Sequence, residues 1–266
     1  MELTTIRAEV DPDGLARLTL ARPDHGNAID LQLAKDLNAV LTAWSLDRRV
    51  RAVLLTGEGP SFCVGGDLKD FAGHDDDRPL HLADITTYLH AAMSRLMRLD
   101  APVVAAVQGN AAGAGMSLAA AADLVLAGAS SRFVMAYTAI GLTPDGSGTW
   151  SLPRLVGLRR ALELTLTNRR LGAEEAVALG IATRVVADDA LADEALALGR
   201  SLAAGPTGAL GAAKRLLRES VGRDLEAQLA VETESLAAAA GSADSREGIA
   251  AFLAKRPPEF RGLERW

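Results

Sequence analysis

Two glycine-rich stretches decide the reading of this chain: Phe62-Cys63-Val64-Gly65-Gly66-Asp67-Leu68 and Gly109-Asn110-Ala111-Ala112-Gly113-Ala114-Gly115. Each follows a short apolar run and precedes a helical pattern. Each therefore brings bare backbone to the start of a helix, where N–H groups lack intrahelical partners and carry a partial positive charge. Two such starts brought together grip one oxygen as negative charge develops on it, with no charged side chain required. The second stretch follows an apolar strand pattern, as a dinucleotide fingerprint does, but it reads G-x-x-x-G-x-G rather than G-x-G-x-x-G. Asp123 also follows too soon to serve as a ribose-binding acid.

Outward from these loops the chain alternates between strand and helix patterns. Residues 3–10 and 15–21 read as strands joined through Asp11-Pro12-Asp13-Gly14, where proline fixes one φ and glycine permits the reversal. Asp30 caps a helix with Leu33, Leu37, Leu41 and Trp44 on one face. Residues 51–56 and 103–107 are buried strands. Residues 80–99 form a helix with Ile85, Leu89, Ala92, Leu96 and Leu99 in line, stopped by Pro102. A helix is expected over 113–122 and brief strands over 124–127 and 133–135. From Ser147 onward the pattern is almost wholly helical apart from 182–186, with helices over 158–168, 173–179, 191–204, 207–221, 225–240 and 246–254. The order predicts an α/β core of repeated strand–strand–helix units over residues 1–200 and a C-terminal helical annex, serving oligomerisation, over 201–266. The annex helices are rich in small residues, and association with further copies of the chain covers their edges.

Composition narrows the function. The 266 residues are 49% hydrophobic and 4% aromatic, so aliphatic packing dominates. A net charge of −6 without a basic cluster argues against nucleic acid as a partner. Cys63 is the one cysteine, which excludes an internal disulfide framework and fits a reducing compartment. No histidine or asparagine stands near it in sequence, so it reads as a small buried residue rather than a nucleophile. No stretch reads as a membrane span, and the acidic, alternating N-terminus is no signal peptide. The expectation is a soluble, cytoplasmic protein.

At this point the chain resembles the enoyl-CoA hydratase/isomerase (crotonase) family through nearly its whole length. The resemblance runs through Arg22-Pro23 with Asn27-Ala28, Gly57 with the 62–68 loop, and Pro102 to Val107. It continues through Gly109, the 112–115 loop, Asp123, Gly141-Leu142, Pro144-Asp145, Leu152-Pro153-Arg154 and Arg246-Glu247-Gly248 with Ala251-Phe252-Leu253. It implies the crotonase spiral, and an oxyanion hole made by the N–H groups of Gly66 and Ala114 for an acyl-CoA thioester carbonyl. Loss of one such donor costs about 3 kcal/mol in the transition state. The resemblance also implies coenzyme A lying along Val64, Gly65, Asp67, Leu68 and Lys69. Arg22 is nearby, and Phe252 and Lys255 reach in from the C-terminal helix of the same or a neighbouring subunit. Read on their own, Arg22 is equally a solvated strand end, Lys255 a cation favourable to a helix C-terminus and Phe252 a packing residue. Coenzyme A enters as part of the substrate, with no separate cofactor or metal. Homotrimers, paired into hexamers, are the family's usual assembly.

The carboxylates separate branches of the family. Its hydratases carry two glutamates, at positions that here hold Ser117 and Tyr137. A pair of carboxylates suits hydration, which activates water and delivers a proton to carbon. One carboxylate remains in reach, Asp145 in Leu142-Thr143-Pro144-Asp145-Gly146. By itself Pro-Asp-Gly is a common turn or a helix cap, but the resemblance places a catalytic aspartate at this position in isomerase branches. Ala111 to Gly115, Phe133 to Ala136, Gly148-Thr149-Trp150 and the tail after Ser242 are similar to ring-1,2-epoxyphenylacetyl-CoA isomerases. Gly157 to Leu164 and Leu166 to Arg169, with His90 and Asp145, are similar to 4-chlorobenzoyl-CoA dehalogenases, in which Asp145 aligns with the nucleophile. His90 read alone is a flank residue of its helix. The reading is an acyl-CoA isomerase using Asp145 as acid and base, with His90 and Tyr137 as further candidates. An atypical hydratase, a dehalogenase and a non-catalytic acyl-CoA-binding protein stand as alternatives.

Overall fold

The structure, a computed structural model, describes residues 3–260. The last six residues of the expected annex and the first two of the chain lie outside it. Strands β1 (Ile6–Val10), β2 (Leu15–Leu20), β3 (Ala52–Gly57), β4 (Val103–Val107), β6 (Leu124–Gly128) and β9 (Arg184–Val186) form one sheet in the order β1-β2-β3-β4-β6-β9. Only β1 and β2 pair antiparallel, through the expected hairpin, where Gly14 takes φ +88° and its N–H donates to the Asp11 carbonyl. The other pairings are parallel. A second sheet joins the short strands β5 (Asn110–Ala112), β7 (Arg132–Val134) and β8 (Leu171–Gly172) in the order β5-β7-β8.

Parallel strands are covered on both faces, which is why β3 and β4 read as unbroken apolar runs. Side chains alternate between the faces. Val53, Leu55, Val103, Ala105 and Val107 join the core packed by α1 (Leu31–Leu46) and α3 (Arg78–Arg98). Ala52, Leu54, Val104, Ala106 and Leu126 form a second core with α8 (Leu191–Ala203). Gly199 of α8 leaves room for Leu15, since a Cβ there would lie 3.0 Å from a Leu15 methyl. The Asp30 side chain caps α1 by accepting the Leu33 N–H at 2.8 Å. Helix α4 (Ala114–Ala121) is buried over its whole length.

The remaining helices are α2 (Leu68–Ala72), α5 (Gly148–Val156), α6 (Leu158–Thr167), α7 (Ala173–Ala178), α9 (Thr207–Glu219), α10 (Leu225–Ala240) and α11 (Ala243–Leu253). The α/β class expected from sequence is the one observed. Several details differ. β1 starts at Ile6 because Thr4 and Thr5 are tied to Asp36, whose Oδ2 accepts both backbone N–H groups at 3.1 Å. α11 starts at Ala243 rather than 246, because the Ser242 hydroxyl accepts the Ser245 N–H at 3.0 Å and caps it. α2, β5 and β8 are too short to show a period. The division placed at residue 200 falls inside α8, whose Ala195 belongs to the second core.

The C-terminal helices are fastened to the core by charge. Asp123 accepts Lys214 Nζ at 2.6 Å, Arg218 Nη2 at 2.8 Å and the Val103 N–H at 2.8 Å. Gly211 lets α9 lie on Asp100, where a Cβ would come within 2.6 Å of the Asp100 Cα. Burial lowers the affinity of the Lys214 ammonium for its proton, and the Asp123 charge opposes this. Asp123→Ala removes the counter-charge of a buried lysine. It is expected to lower the unfolding free energy in urea by about 3 kcal/mol, the lower end for breaking a buried pair, and Lys214→Met by clearly less. A loss under about 1 kcal/mol, the ceiling for exposed pairs, would show that the fastening is peripheral.

Candidate active site

Direct backbone pairing brings the two glycine loops together. The Cys63 N–H donates to the Asn110 carbonyl at 3.1 Å and the Ala112 N–H to the Cys63 carbonyl at 3.0 Å. On its other side the first loop is strung on residues 26–29. Val64 N–H donates to the Gly26 carbonyl, Ile29 N–H to the Gly65 carbonyl and Asp67 N–H to the Ile29 carbonyl, at 3.0, 2.7 and 3.0 Å. The start of α4 is pressed so closely on the Cys63 carbonyl that Gly115 has no space for a Cβ. Cys63 itself is fully buried, and burial pushes its thiol up to about 12, so it is not a thiolate at neutral pH.

This seam brings two unpaired donors to one cavity. The N–H groups of Gly66 and Ala114 donate to no other described residue. Ala114 opens α4, so its N–H is one of the unpaired donors of a helix start. Both residues line one cavity of about 300 Å³. A Cβ at Gly65 would stand 3.5 Å from the Ala114 nitrogen, which measures how close the loops run. A Cβ at Gly66 would stand 2.5 Å from the tip of the Phe71 ring, so a side chain there would displace that ring.

The cavity walls are mostly apolar: Ile29, Leu68 and Phe71, then Leu82, Ile85 and Leu89 of α3, then Ile140 and Leu142. Asp145 is the one carboxylate among the described lining residues. The Tyr137 hydroxyl donates to Asp145 Oδ1 at 2.5 Å. The Ser117 hydroxyl donates to the Asp145 backbone carbonyl at 3.0 Å and lies 3.4 Å from the Tyr137 hydroxyl. Burial, and then the Asp145 charge, raise the Tyr137 phenol far above its ordinary value, so it stays a donor. His90 Nε2 accepts the Gly146 N–H at 3.2 Å and stands 3.6 Å from Asp145 Oδ2. Asp145, Tyr137 and His90 are thus brought together, with His90 at the edge and 52% exposed.

The residues expected to hold coenzyme A are distributed differently. Val64, Gly65 and Leu68 line the cavity, Val64 and Leu68 partly open to solvent at its mouth, and Lys69 is exposed. Asp67 is buried and faces the protein. It caps α2 by accepting the Lys69 and Asp70 N–H groups at 3.2 and 3.3 Å, and it pairs with Arg22 Nη2 at 3.0 Å. Burial would raise its carboxyl, but the Asp70 N–H and the Arg22 guanidinium outweigh this and hold it below the ordinary value. Arg22 also pairs with Asp30 at 2.9 Å and donates to the Ala28 carbonyl. Phe252, 83% exposed, and Lys255 lie at the end of α11 and just past it, and neither lines the cavity.

One structural role was not read from sequence. Asn27 is fully buried at φ +56°, a conformation asparagine tolerates better than most residues. Its Oδ1 accepts the Arg22 N–H at 2.9 Å, and its Nδ2 donates to the carbonyls of Glu58, Ser61 and Phe62 at 2.9, 2.8 and 3.1 Å. Asn27 therefore holds the approach to the first glycine loop. Phe71, Leu82, Thr86 and Ile140 of the cavity wall also carried no motif.

A second polar group sits beside the cavity. Asp70, His74 and His81 bring ligand-type atoms within 4.8 Å of one another. The two imidazoles are stacked, with centroids 3.5 Å apart and planes 7° from parallel, so their in-plane lone pairs do not converge on one ion. His81 Nε2 instead meets Asp70 Oδ2 at 2.5 Å, tying α2 to α3.

Comparison with known proteins identifies the family. The model of the enoyl-CoA hydratase/isomerase family matches residues 11–263. The chain is 41% identical to the 1,2-epoxyphenylacetyl-CoA isomerase of Escherichia coli (strain K12), covering 94% of this chain and 95% of that one. It is also 41% identical to a Rhodobacter capsulatus protein named probable enoyl-CoA hydratase, covering 98% and 100%. Identity to the 4-chlorobenzoyl coenzyme A dehalogenase-2 of Arthrobacter sp is 34%, over 91% and 88%. The crystal structure of an enoyl-CoA hydratase from Polaromonas sp. JS666 superposes with a TM-score of 0.91 at 35% identity, over 96% of this chain and 99% of that one. The chain belongs to the enoyl-CoA hydratase/isomerase family and has the crotonase fold.

Proposed function

We propose that this protein is an acyl-CoA isomerase that moves a proton with Asp145 while Gly66 and Ala114 hold the thioester oxygen. The observation that carries the reading is one cavity with two unpaired backbone N–H donors and a single lining carboxylate. In the proposed step Asp145 takes a proton from the saturated carbon next to the thioester carbonyl. The C–H electron pair flows to the carbonyl oxygen, and the two N–H groups stabilise the enolate. The same carboxyl returns the proton at another carbon, so the double bond moves and the mass is unchanged. Hydration fits poorly, because hydroxyls of Ser117 and Tyr137 stand at the two positions where the family's hydratases carry their pair of carboxylates.

A second reading, dehalogenation with Asp145 as nucleophile, draws on His90 at 3.6 Å and on the similarity to the Arthrobacter protein. The Tyr137 hydrogen bond engages Oδ1 and leaves Oδ2 free in either reading, so the product formed separates the two. In the isomerase reading coenzyme A lies along Val64, Gly65, Leu68 and Lys69, while Asp67 and Arg22 brace that loop from behind. Phe252 and Lys255 contribute across a subunit boundary in a homotrimer or hexamer. Exposed Leu217, Leu229, Leu236 and Leu253 supply apolar surface for such an assembly. A free, buried Cys63 suits a cytoplasmic enzyme.

Incubation with 3-hexenoyl-CoA, a ring-epoxide of phenylacetyl-CoA, crotonyl-CoA and 4-chlorobenzoyl-CoA, followed by mass analysis, separates the readings. The expected result is a product of unchanged mass from one of the first two. Gain of water from crotonyl-CoA at about 10³ per second, the upper range of common turnover numbers, would replace the reading with hydration. Release of chloride would replace it with dehalogenation.

Asp145→Asn keeps shape but cannot cycle a proton. Its rate is expected to fall at least about a hundredfold, with acyl-CoA affinity nearly unchanged. Full activity would reduce Asp145 to a turn residue.

Ala114→Pro removes one N–H at the first position of α4, where proline is tolerated. The turnover number is expected to fall about 10²- to 10³-fold in a folded protein. Wild-type turnover would remove Ala114 from the oxyanion site.

A further inference from the structure

The positions Ser117 and Tyr137 hold hydroxyls, and both hydroxyls are spent on Asp145. We propose that Ser117 and Tyr137 form a positioning pair that fixes the Asp145 carboxylate, engaging Oδ1 and leaving Oδ2 as the oxygen that carries the substrate proton. This rests on the isomerase reading above and adds to it which oxygen works and what holds it.

Ser117 is the one side chain of α4 with a hydroxyl or charge, and it is 1% exposed. A buried hydroxyl needs a partner, and this one donates to the Asp145 carbonyl. The turn is laid directly on it. A Cβ at Gly148 would come within 2.6 Å of Ser117 Oγ, and one at Gly146 within 3.4 Å of Ser117 Cβ. Gly146 also takes φ +56°, which favours glycine. On the opposite side, the Gly146 N–H donates to His90 Nε2. The third point is the Tyr137 hydroxyl on Oδ1. Tyr137 has one proton to give and gives it to the carboxylate, so the Ser117 proton goes to the carbonyl and the directions of the bonds are mutually consistent.

The turn is thus held by its carbonyl, its next N–H and one carboxylate oxygen. Oδ2 is left facing His90 at 3.6 Å, and the His90 Nε2 lone pair is already occupied by Gly146. A base that must take a proton from one carbon and return it to another gains from such fixing, because misplacement raises the barrier at both transfers. The pair leaves substrate binding untouched and acts on the chemical steps.

The test uses Tyr137→Phe, Ser117→Ala and the double variant of the full chain, with 3-hexenoyl-CoA as substrate. Each single variant is expected to lose about tenfold or more in kcat with KM changed by no more than about threefold, the pattern of an interaction made at the transition state. The double variant should lose less than the product of the single losses, because the two hydroxyls hold one group.

Wild-type kcat in Tyr137→Phe, or a loss carried wholly by KM, would overturn the pair. Tyr137→Phe removes a single oxygen, so it decides the matter even if Ser117→Ala fails to fold. An active Asp145→Asn overturns the isomerase reading itself. An inactive Asp145→Asn beside a fully active Tyr137→Phe overturns the positioning pair alone.

Discussion

The site depends on one seam of backbone, where Cys63 exchanges hydrogen bonds with Asn110 and Ala112. Those two bonds place a loop from the end of β3 against the start of α4, and the Gly66 and Ala114 N–H groups are held open by the same contact. Much around the seam follows from it. Gly115 has no room for a side chain, Gly65 adopts φ +98°, and α4 is alanine-rich because it is enclosed on all sides. Asn27, Arg22 and Asp67 act as a brace from behind, satisfying carbonyls and N–H groups of the loop that the sheet does not reach. A buried polar network of this kind is worthwhile only when its members are satisfied, and the bonds of Asn27 meet that condition.

The chemistry follows from what the seam faces. An apolar cavity strengthens every polar interaction inside it, because little water competes. Two further carboxylates at positions 117 and 137 would repel the charge of Asp145 and each other. Neutral hydroxyls avoid that repulsion and supply donors instead. The same residue choice that weakens the case for water addition therefore strengthens the case for a single carboxylate working alone.

The parts of this account that were legible in sequence are those with backbone or periodic signatures. The two glycine loops, the Asp11–Gly14 hairpin, the Asp30 cap and the apolar faces of α1 and α3 follow from residue type and spacing. Asp145 was visible as a turn residue, and its catalytic candidacy came from family resemblance. The short elements α2, β5 and β8 carry too few residues for a period, and tertiary pairing makes them. The roles of Ser117 and Asn27 were hidden for another reason: each is defined by partners about twenty to thirty-five residues away in sequence. The inward pairing of Asp67 with Arg22, forty-five residues apart, was hidden in the same way.

The central claim is that one thioester oxygen is shared by the Gly66 and Ala114 N–H groups while Asp145 Oδ2 faces the reacting carbons. A crystal structure with a saturated acyl-CoA thioester such as hexanoyl-CoA bound tests it most directly. The account predicts the carbonyl oxygen within hydrogen-bond distance of both nitrogens, about 2.7–3.1 Å, with the acyl chain running past Asp145 Oδ2 into the apolar cavity. A carbonyl oxygen bound away from those two nitrogens, or an acyl chain that leaves Asp145 on the far side of a wall, would contradict it.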